Sequence, residues 1–366
     1  DFRYTNLWKE GDTNPSQQIP DVYCMKEIFD KMRPIYEDSK KRTAARSTDE
    51  VKCATGIAFG SYAAGLDGPD SASAWAELNE DGSVTIGAAW GDHGQGATCG
   101  ILGTAHEALR PYGIDVDRIH YIMNDSSKTP PAGPAGGSRS QVMVGNAIRV
   151  SCEMLLAAMK KPEGGWYTRA EMLEKGLNPK QEGTWTAPCK PCSSDTGKGE
   201  PFCCYMYGLF MAEVAVDITT GKTAVEKLTM IADIGKVNTG KTRCDRLVCS
   251  CDIGKINNRL IVDGQISGGM AQGVGLALTE DYEDLKRDST MAGAGIPNIK
   301  DIPDDIEIIY TESPRKDGPF GASGVGEMPL TAPHAAIING IYNACGARIR
   351  HLPARPEKVL AAMPKK

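Results

Sequence analysis

Apolar positions along this chain follow two periods in turn. Over residues 21–46, Val22, Met25, Ile28, Phe29, Met32, Ile35 and Tyr36 recur every three or four residues, which predicts a helix interrupted at Pro34. The run Lys40-Lys41-Arg42 reads as its solvated end. Period two takes over at Ser73–Asn79 and Ser83–Trp90, where Val84, Ile86, Ala88 and Trp90 share one face and Asp81-Gly82 supplies a hairpin turn. A helix to Arg110 follows, with Ile101, Leu102, Ala105, Ala108 and Leu109 on one side and Pro111-Tyr112-Gly113 as its stop. Thr129–Arg139 is too rich in breakers for regular structure and feeds a helix over Gln141–Met159. Leu209–Asp217 and Thr223–Ile234 form a second predicted hairpin about Thr219-Thr220-Gly221. Gly264–Tyr282 reads as a glycine-rich helix, Ile306–Thr311 as a strand, and a last helix takes Thr331 as cap, Pro333 in its first turn and Gly346 as its end.

Hairpins alternating with helices, twice over, predict an α+β fold of two similar subdomains, each a mixed sheet packed with helices. The expected divisions are an N-terminal helical segment at 1–50, a first subdomain at 51–204 ending in a polar, Gly/Pro/Cys-rich connection at 160–204, and a second subdomain at 205–366. Asp233-Ile234-Gly235-Lys236-Val237-Asn238 recurs as Asp252-Ile253-Gly254-Lys255-Ile256-Asn257, a local duplication with Cys244, Cys249 and Cys251 between the copies.

Composition narrows the function. With 41 Lys+Arg against 47 Asp+Glu, the net charge of −6 argues against nucleic acid or an anionic membrane as main partner. No basic-then-apolar leader and no apolar run near ~18 residues is seen, so a soluble cytoplasmic protein, or a piece of one, is expected. The 12 cysteines read as reduced thiols in a chain of this length, although Cys189-Lys190-Pro191-Cys192 with Cys203-Cys204 leaves zinc as an alternative. Glycine is in surplus: 41 in 366 residues, against a usual ~7%.

Much of that surplus falls in four segments that each run into a helix start: Gly94-Gln95-Gly96, Gly133–Arg139, Gly264–Gly275 and Gly321–Glu327. Free N–H groups at a helix N-terminus suit a phosphate or other anionic oxygen, glycine lets backbone come near, and Arg139 offers a charged fork. Ordinary turns and helix packing would leave the same signature. The chain lacks a GxSxG nucleophile elbow and an HExxH zinc motif. Glu327, between a glycine loop and Pro329, is a candidate general base or a first-turn Glu favoured by the helix dipole.

Taken together, Gly321–Glu327 with Met328-Pro329-Leu330, Gly94-Gln95-Gly96, Gly136-Gly137-Ser138-Arg139 and Gly264-Gln265…Ala271-Gln272-Gly273 resemble the molybdenum hydroxylases, the xanthine oxidase family. The GxGExPL motif is the most specific of these. Gly65–Asp70, Ala105–Pro111 and His334–Asn339 are similar to the flavin-free bacterial aldehyde oxidoreductases within it, and the likeness covers nearly the whole chain.

The resemblance implies molybdopterin cytosine dinucleotide as cofactor, with molybdenum held by the dithiolene and no protein side chain as ligand. Glu327 matches the glutamate that removes a proton from the metal's hydroxo ligand, so that an aldehyde becomes a carboxylate with water as oxygen source. Gln95 and Gln272 match positions that hydrogen-bond the pterin and Gly136, Gly137, Ser138 and Arg139 those that hold the dinucleotide, with Gly94, Gly96, Gln265, Gly324, Val325 and Gly326 as further cofactor-binding residues. Asp1–Asn6 resembles a segment from the middle of the family's molybdenum-binding region, so this chain is expected to be a C-terminal fragment. Two iron–sulfur clusters of the 2Fe–2S type would lie in the missing part, in keeping with the lack of C-x4-C-x2-C spacing here. A small aldehyde, a flavodoxin or ferredoxin as electron acceptor, and a homodimer are the implied partners. A purine or N-heterocycle hydroxylase is the alternative within the family; a nucleotide-binding module or a zinc scaffold is the alternative outside it.

Overall fold

The structure is a computed structural model that describes residues 1–235 and 258–365. Two four-stranded mixed sheets carry helices on their faces, an α+β architecture as expected. The first sheet has the order β1-β6-β7-β8: β1 is Val51–Ala64, β6 Cys204–Asp217, β7 Thr223–Asp233 and β8 Asp305–Thr311. The second runs β4-β3-β2-β5: β2 is Ser71–Leu78, β3 Val84–Ala88, β4 Ile119–Met123 and β5 Lys180–Thr186. Both predicted hairpins, β2–β3 and β6–β7, are antiparallel, and each sheet adds one parallel pair, β3–β4 and β7–β8.

Strand β1 is the long element that periodicity passes over. It carries little polar–apolar alternation because both of its faces are covered. Ile57 and Phe59 pack with the buried Ile28 and Met32 of α2 (Met25–Arg46), and Gly56, just before them, faces α7 (Pro333–Cys345). A Cβ at Gly56 would lie 2.0 Å from the Ala336 carbonyl oxygen, so glycine is what lets helix and strand touch. Pro34 sits inside α2 without interrupting it, since burial of the helix's apolar stripe outweighs one lost hydrogen bond.

The expected boundary at 204/205 does not follow the sheets. β1, assigned to the first subdomain, pairs along its whole length with β6 of the second, from Val51↔Asp217 to Ala64↔Cys204. The stretch 160–204 is more than a connection: it holds the short α5 (Arg169–Glu174) and the edge strand β5, paired with β2 from Ser71↔Thr186 to Glu77↔Lys180. Its strand pattern is hidden because β5 is an edge strand with a single buried residue, Gly183, and with charged residues along it.

Against the second sheet lie α3 (Ala97–Ala108) and the largely buried α4 (Ser140–Met159), which rests on β2 and β5. The glycine-rich helix α6 (Arg259–Leu278) packs on α7, where a Cβ at Gly273 would meet Pro333 at 2.2 Å. Thr331 does not cap α7: Ala332 holds that position, and the Thr331 hydroxyl donates to the Met328 carbonyl within a 3-10 turn. Nor is α7 the last helix, since α8 (Pro356–Ala362) follows; α1 is a single N-terminal turn, Phe2–Thr5. The second copy of the repeat and Cys244, Cys249 and Cys251 lie outside the described residues. In the first copy, the buried Asp233 carboxylate accepts from Thr311 and Ser313 and pairs with Arg315 at 2.8 Å, fixing the segment that leads to Gly321.

Candidate active site

The four glycine segments meet. Each contributes to one cavity of about 590 Å³, lined by Gly94, Gln95 and Gly96, by Gly136, Ser138 and Arg139, by Gln265 and Gln272, and by Gly324, Val325, Gly326 and Glu327. Gly137 is the one predicted site residue outside that lining, and it reaches the site through its backbone. Gln265 and Gln272 are seven residues apart on α6, two helical turns, and so project to the same side.

Glu327 precedes the Met328–Leu330 turn, and its carboxylate points away from the following helix. Oε1 accepts from the Gly137 N–H at 2.8 Å, Oε2 accepts from the Ser138 hydroxyl, and the Glu327 N–H donates to Ser138 Oγ at 3.1 Å. The first-turn-Glu reading is thereby replaced: the carboxylate serves the facing loop. Burial, and then the Glu327 charge, pushes the Tyr62 phenol up, which sets that ring within electrostatic reach of the carboxylate.

The loops approach backbone to backbone. A Cβ at Gly324 would fall 2.0 Å from the Ser138 carbonyl oxygen, so no side chain fits there without parting the two segments. Gly137 and Ser138 are both left-handed, at φ 65° and 51°, and the Gly137 carbonyl accepts from the Gly65 N–H at 2.9 Å.

Two predicted roles are redirected. The Arg139 guanidinium, 1% exposed, is not a free fork for an anion. Nε and Nη2 grip the Asp70 carboxylate at 2.6 and 2.7 Å, Nη2 also donates to Ser71 O at 3.1 Å, and Nη1 donates to Ala132 O and Pro134 O at 2.7 and 2.8 Å. All five donors are spent on the protein. Gln95 likewise turns inward: its amide nitrogen donates to Gly91 O at 2.6 Å, and its oxygen accepts from the His93 N–H at 2.5 Å. Asp92, which no motif flagged, accepts from Gly94, Gly96 and Ala97 N–H at 2.8, 3.3 and 3.0 Å, so the start of α3 is already capped. Its signal was present as Asp-x-Gly, an Asx-turn pattern.

What remains available is polar and uncharged. Ser140 and Gln141 line the cavity from the first turn of α4, where N–H groups have no partner inside the helix. Ser323 also lines it and is 2% exposed, yet its Oγ is buried with no hydrogen-bond partner. An orphaned buried hydroxyl, two glutamines on one helix face and an open backbone at Gly136 suit a large polar group carrying phosphates. Among the described residues, no group of three or more His, Cys, Asp or Glu side chains could hold a metal ion, so the zinc alternative finds no site there and Cys189 and Cys203 are free thiols.

Comparison with known proteins agrees with this geometry. The family described as "Molybdopterin cofactor-binding domain" matches residues 31–238 and 236–303. An aldehyde oxidoreductase of Megalodesulfovibrio gigas is 51% identical over 99% of this chain and 38% of its own length. The crystal structure of an aldehyde oxidoreductase from Desulfovibrio desulfuricans superposes with a TM-score of 0.92 at 65% identity, over 99% of this chain and 38% of that one. A quinoline 2-oxidoreductase from Pseudomonas putida has a TM-score of 0.75 at 19% identity, covering 96% of this chain and 48% of its own, which is a likeness of fold. The chain spans less than half the length of each of these relatives. It belongs to the molybdopterin cofactor-binding domain family of the molybdenum hydroxylases.

Proposed function

We propose that this chain is the cofactor-binding part of an aldehyde oxidoreductase, in which an aldehyde and water yield a carboxylic acid, two protons and two electrons. The observation that carries the reading is the convergence of four glycine segments and one oriented carboxylate on a single cavity. Identities of 51% and 65% to two aldehyde oxidoreductases, against 27% to a probable xanthine dehydrogenase subunit of Bacillus subtilis, favour an aldehyde over a purine.

When bound, molybdopterin cytosine dinucleotide supplies the redox-active metal that takes the substrate's electron pair. Gln265 and Gln272 would hold its pterin, Gly136 and the first turn of α4 its anionic end, and Ser323 would find a partner for its orphaned hydroxyl. Glu327 takes up the proton released on the substrate side, its carboxylate oriented beforehand by Gly137 and Ser138. Arg139 and Asp70 hold the shape of the Gly133–Arg139 loop. The electrons would leave through iron–sulfur clusters elsewhere in the full-length enzyme, to a flavodoxin or ferredoxin. We further propose a cytoplasmic homodimer.

The test uses the full-length enzyme. Elemental analysis should find molybdenum, and acid treatment should release cytosine nucleotide in equal amount; a protein with neither sinks the proposal. Glu327→Gln should keep both and lose about 10²- to 10⁴-fold in kcat. Near-parental kcat in that variant removes the general-base role.

A further inference from the structure

Two donors hold Glu327, and they differ in kind. Gly137 N–H, on Oε1, is a backbone group that can only donate. The Ser138 hydroxyl, on Oε2, can rotate and either donate or accept. A carboxylate that gains a proton becomes a donor at that oxygen and needs an acceptor beside it. Oε1 has none in Gly137, whereas Oε2 faces a hydroxyl oxygen that already accepts from the Glu327 N–H at 3.1 Å and keeps a second lone pair.

From this asymmetry we propose that Ser138 is a positioning residue for Glu327, which makes Oε2 the oxygen that takes the proton. The proton balance is simple. One proton goes to Oε2, the new O–H donates to Ser138 Oγ, and the serine's own hydrogen swings off Oε2 toward the cavity that Ser138 lines. Nothing is oxidised or reduced in this step.

The backbone is built for this contact. Ser138 stands at φ 51°, a conformation uncommon for serine, directly after Gly137 at φ 65°. Two successive left-handed residues curl the Gly137 N–H and the Ser138 side chain onto one carboxylate, making a small concave anion holder. The backbone of Gly324 lies so near the Ser138 carbonyl that an added Cβ would fall 2.0 Å from its oxygen, and this contact keeps the pair in register.

The inference rests on Glu327 acting as base, and the experiment separates the two. In the full-length, cofactor-loaded enzyme, Ser138→Ala should retain molybdenum and cytosine nucleotide while kcat falls about 10- to 100-fold and KM moves less than about two-fold. The acid limb of its kcat–pH profile should shift to higher pH, because the carboxylate loses a donor. Ser138→Gly, which adopts φ 51° without strain, should match it and so isolates the hydroxyl from the backbone. Both variants turning over within about two-fold of the parent, with an unmoved acid limb, overturns the inference. So does activity lost only in proportion to cytosine nucleotide, which would make Ser138 a cofactor ligand. Glu327→Gln measured alongside decides the rest. If it is inactive while the Ser138 variants are active, only the serine's role falls; if it is active, the base assignment and this inference fall together.

Discussion

The loops at 91–96 and 136–139 have the same texture in the sequence, glycines running into a helix, and do different things. The first closes on itself: Asp92 collects three backbone N–H groups, and the Gln95 amide bridges Gly91 and His93. The second is held from outside. Its Gly137 N–H and Ser138 hydroxyl go to Glu327 on a distant segment, and its Arg139 is gripped by Asp70. Glycine marks where backbone can come close; it does not say what comes close. In the first loop the carboxylate that claims the donors is local, so the helix start is satisfied before any ligand arrives. In the second the carboxylate is that of Glu327, the group proposed as the base.

The largest effect should come from parting the second loop from its partner. Gly324→Ala would set a Cβ 2.0 Å from the Ser138 carbonyl oxygen, which neither backbone can accommodate in place. The expected outcome is a full-length enzyme that loses most of the proposed cofactor's cytosine nucleotide and turns over poorly even when corrected for what remains. Gly94→Ala is the matching change in the first loop. It meets nothing within 4 Å and carries only the strain of φ 102°, about 1–3 kcal/mol, so its cofactor content should stay near the parent's. Equal losses in the two variants, read by acid release of nucleotide, would erase the difference between the loops.

Next in size is the clamp. Asp70→Ala leaves a guanidinium buried without its counter-ion, and breaking such a pair costs about 3–5 kcal/mol. Hydrogen exchange across residues 132–139 should rise and the thermal midpoint should fall. Arg139→Ala should likewise loosen the loop, with cofactor lost through disorder of the cradle rather than through a missing phosphate contact. A variant at Asp70 that unfolds within 1 kcal/mol of the parent would return Arg139 to the role of an available fork.

Which of these details the sequence discloses depends on how local they are. Helices α2, α4 and α6 and both hairpins follow from periodicity and turn residues, because those signals lie within about 20 residues. The pairing of β1 with β6 spans some 150 residues, and its doubly covered strand carries no alternation to read. Glu327 was legible through its motif, but its partners were not, since Ser138 lies 189 residues away. Arg139 misleads for a related reason: a charged residue in a glycine loop reads as a free fork until Asp70, 69 residues upstream, takes two of its donors. Composition says nothing about which donors are already spent.

The smallest effect sharpens that last point. Asp92→Ala removes a cap shared by Gly94, Gly96 and Ala97 N–H and should cost about 1 kcal/mol, seen as faster exchange in the first turn of α3. Since Asp92 serves its own loop, kcat should stay within a few-fold of the parent and cofactor content should be unchanged. The variant is informative because it frees three donors beside the cavity that Gly94 and Gly96 line. If those groups already face the cofactor in the loaded enzyme, losing Asp92 should leave their exchange protected. If they face only Asp92, protection should vanish with it, and the first loop is then a wall of the site rather than a grip.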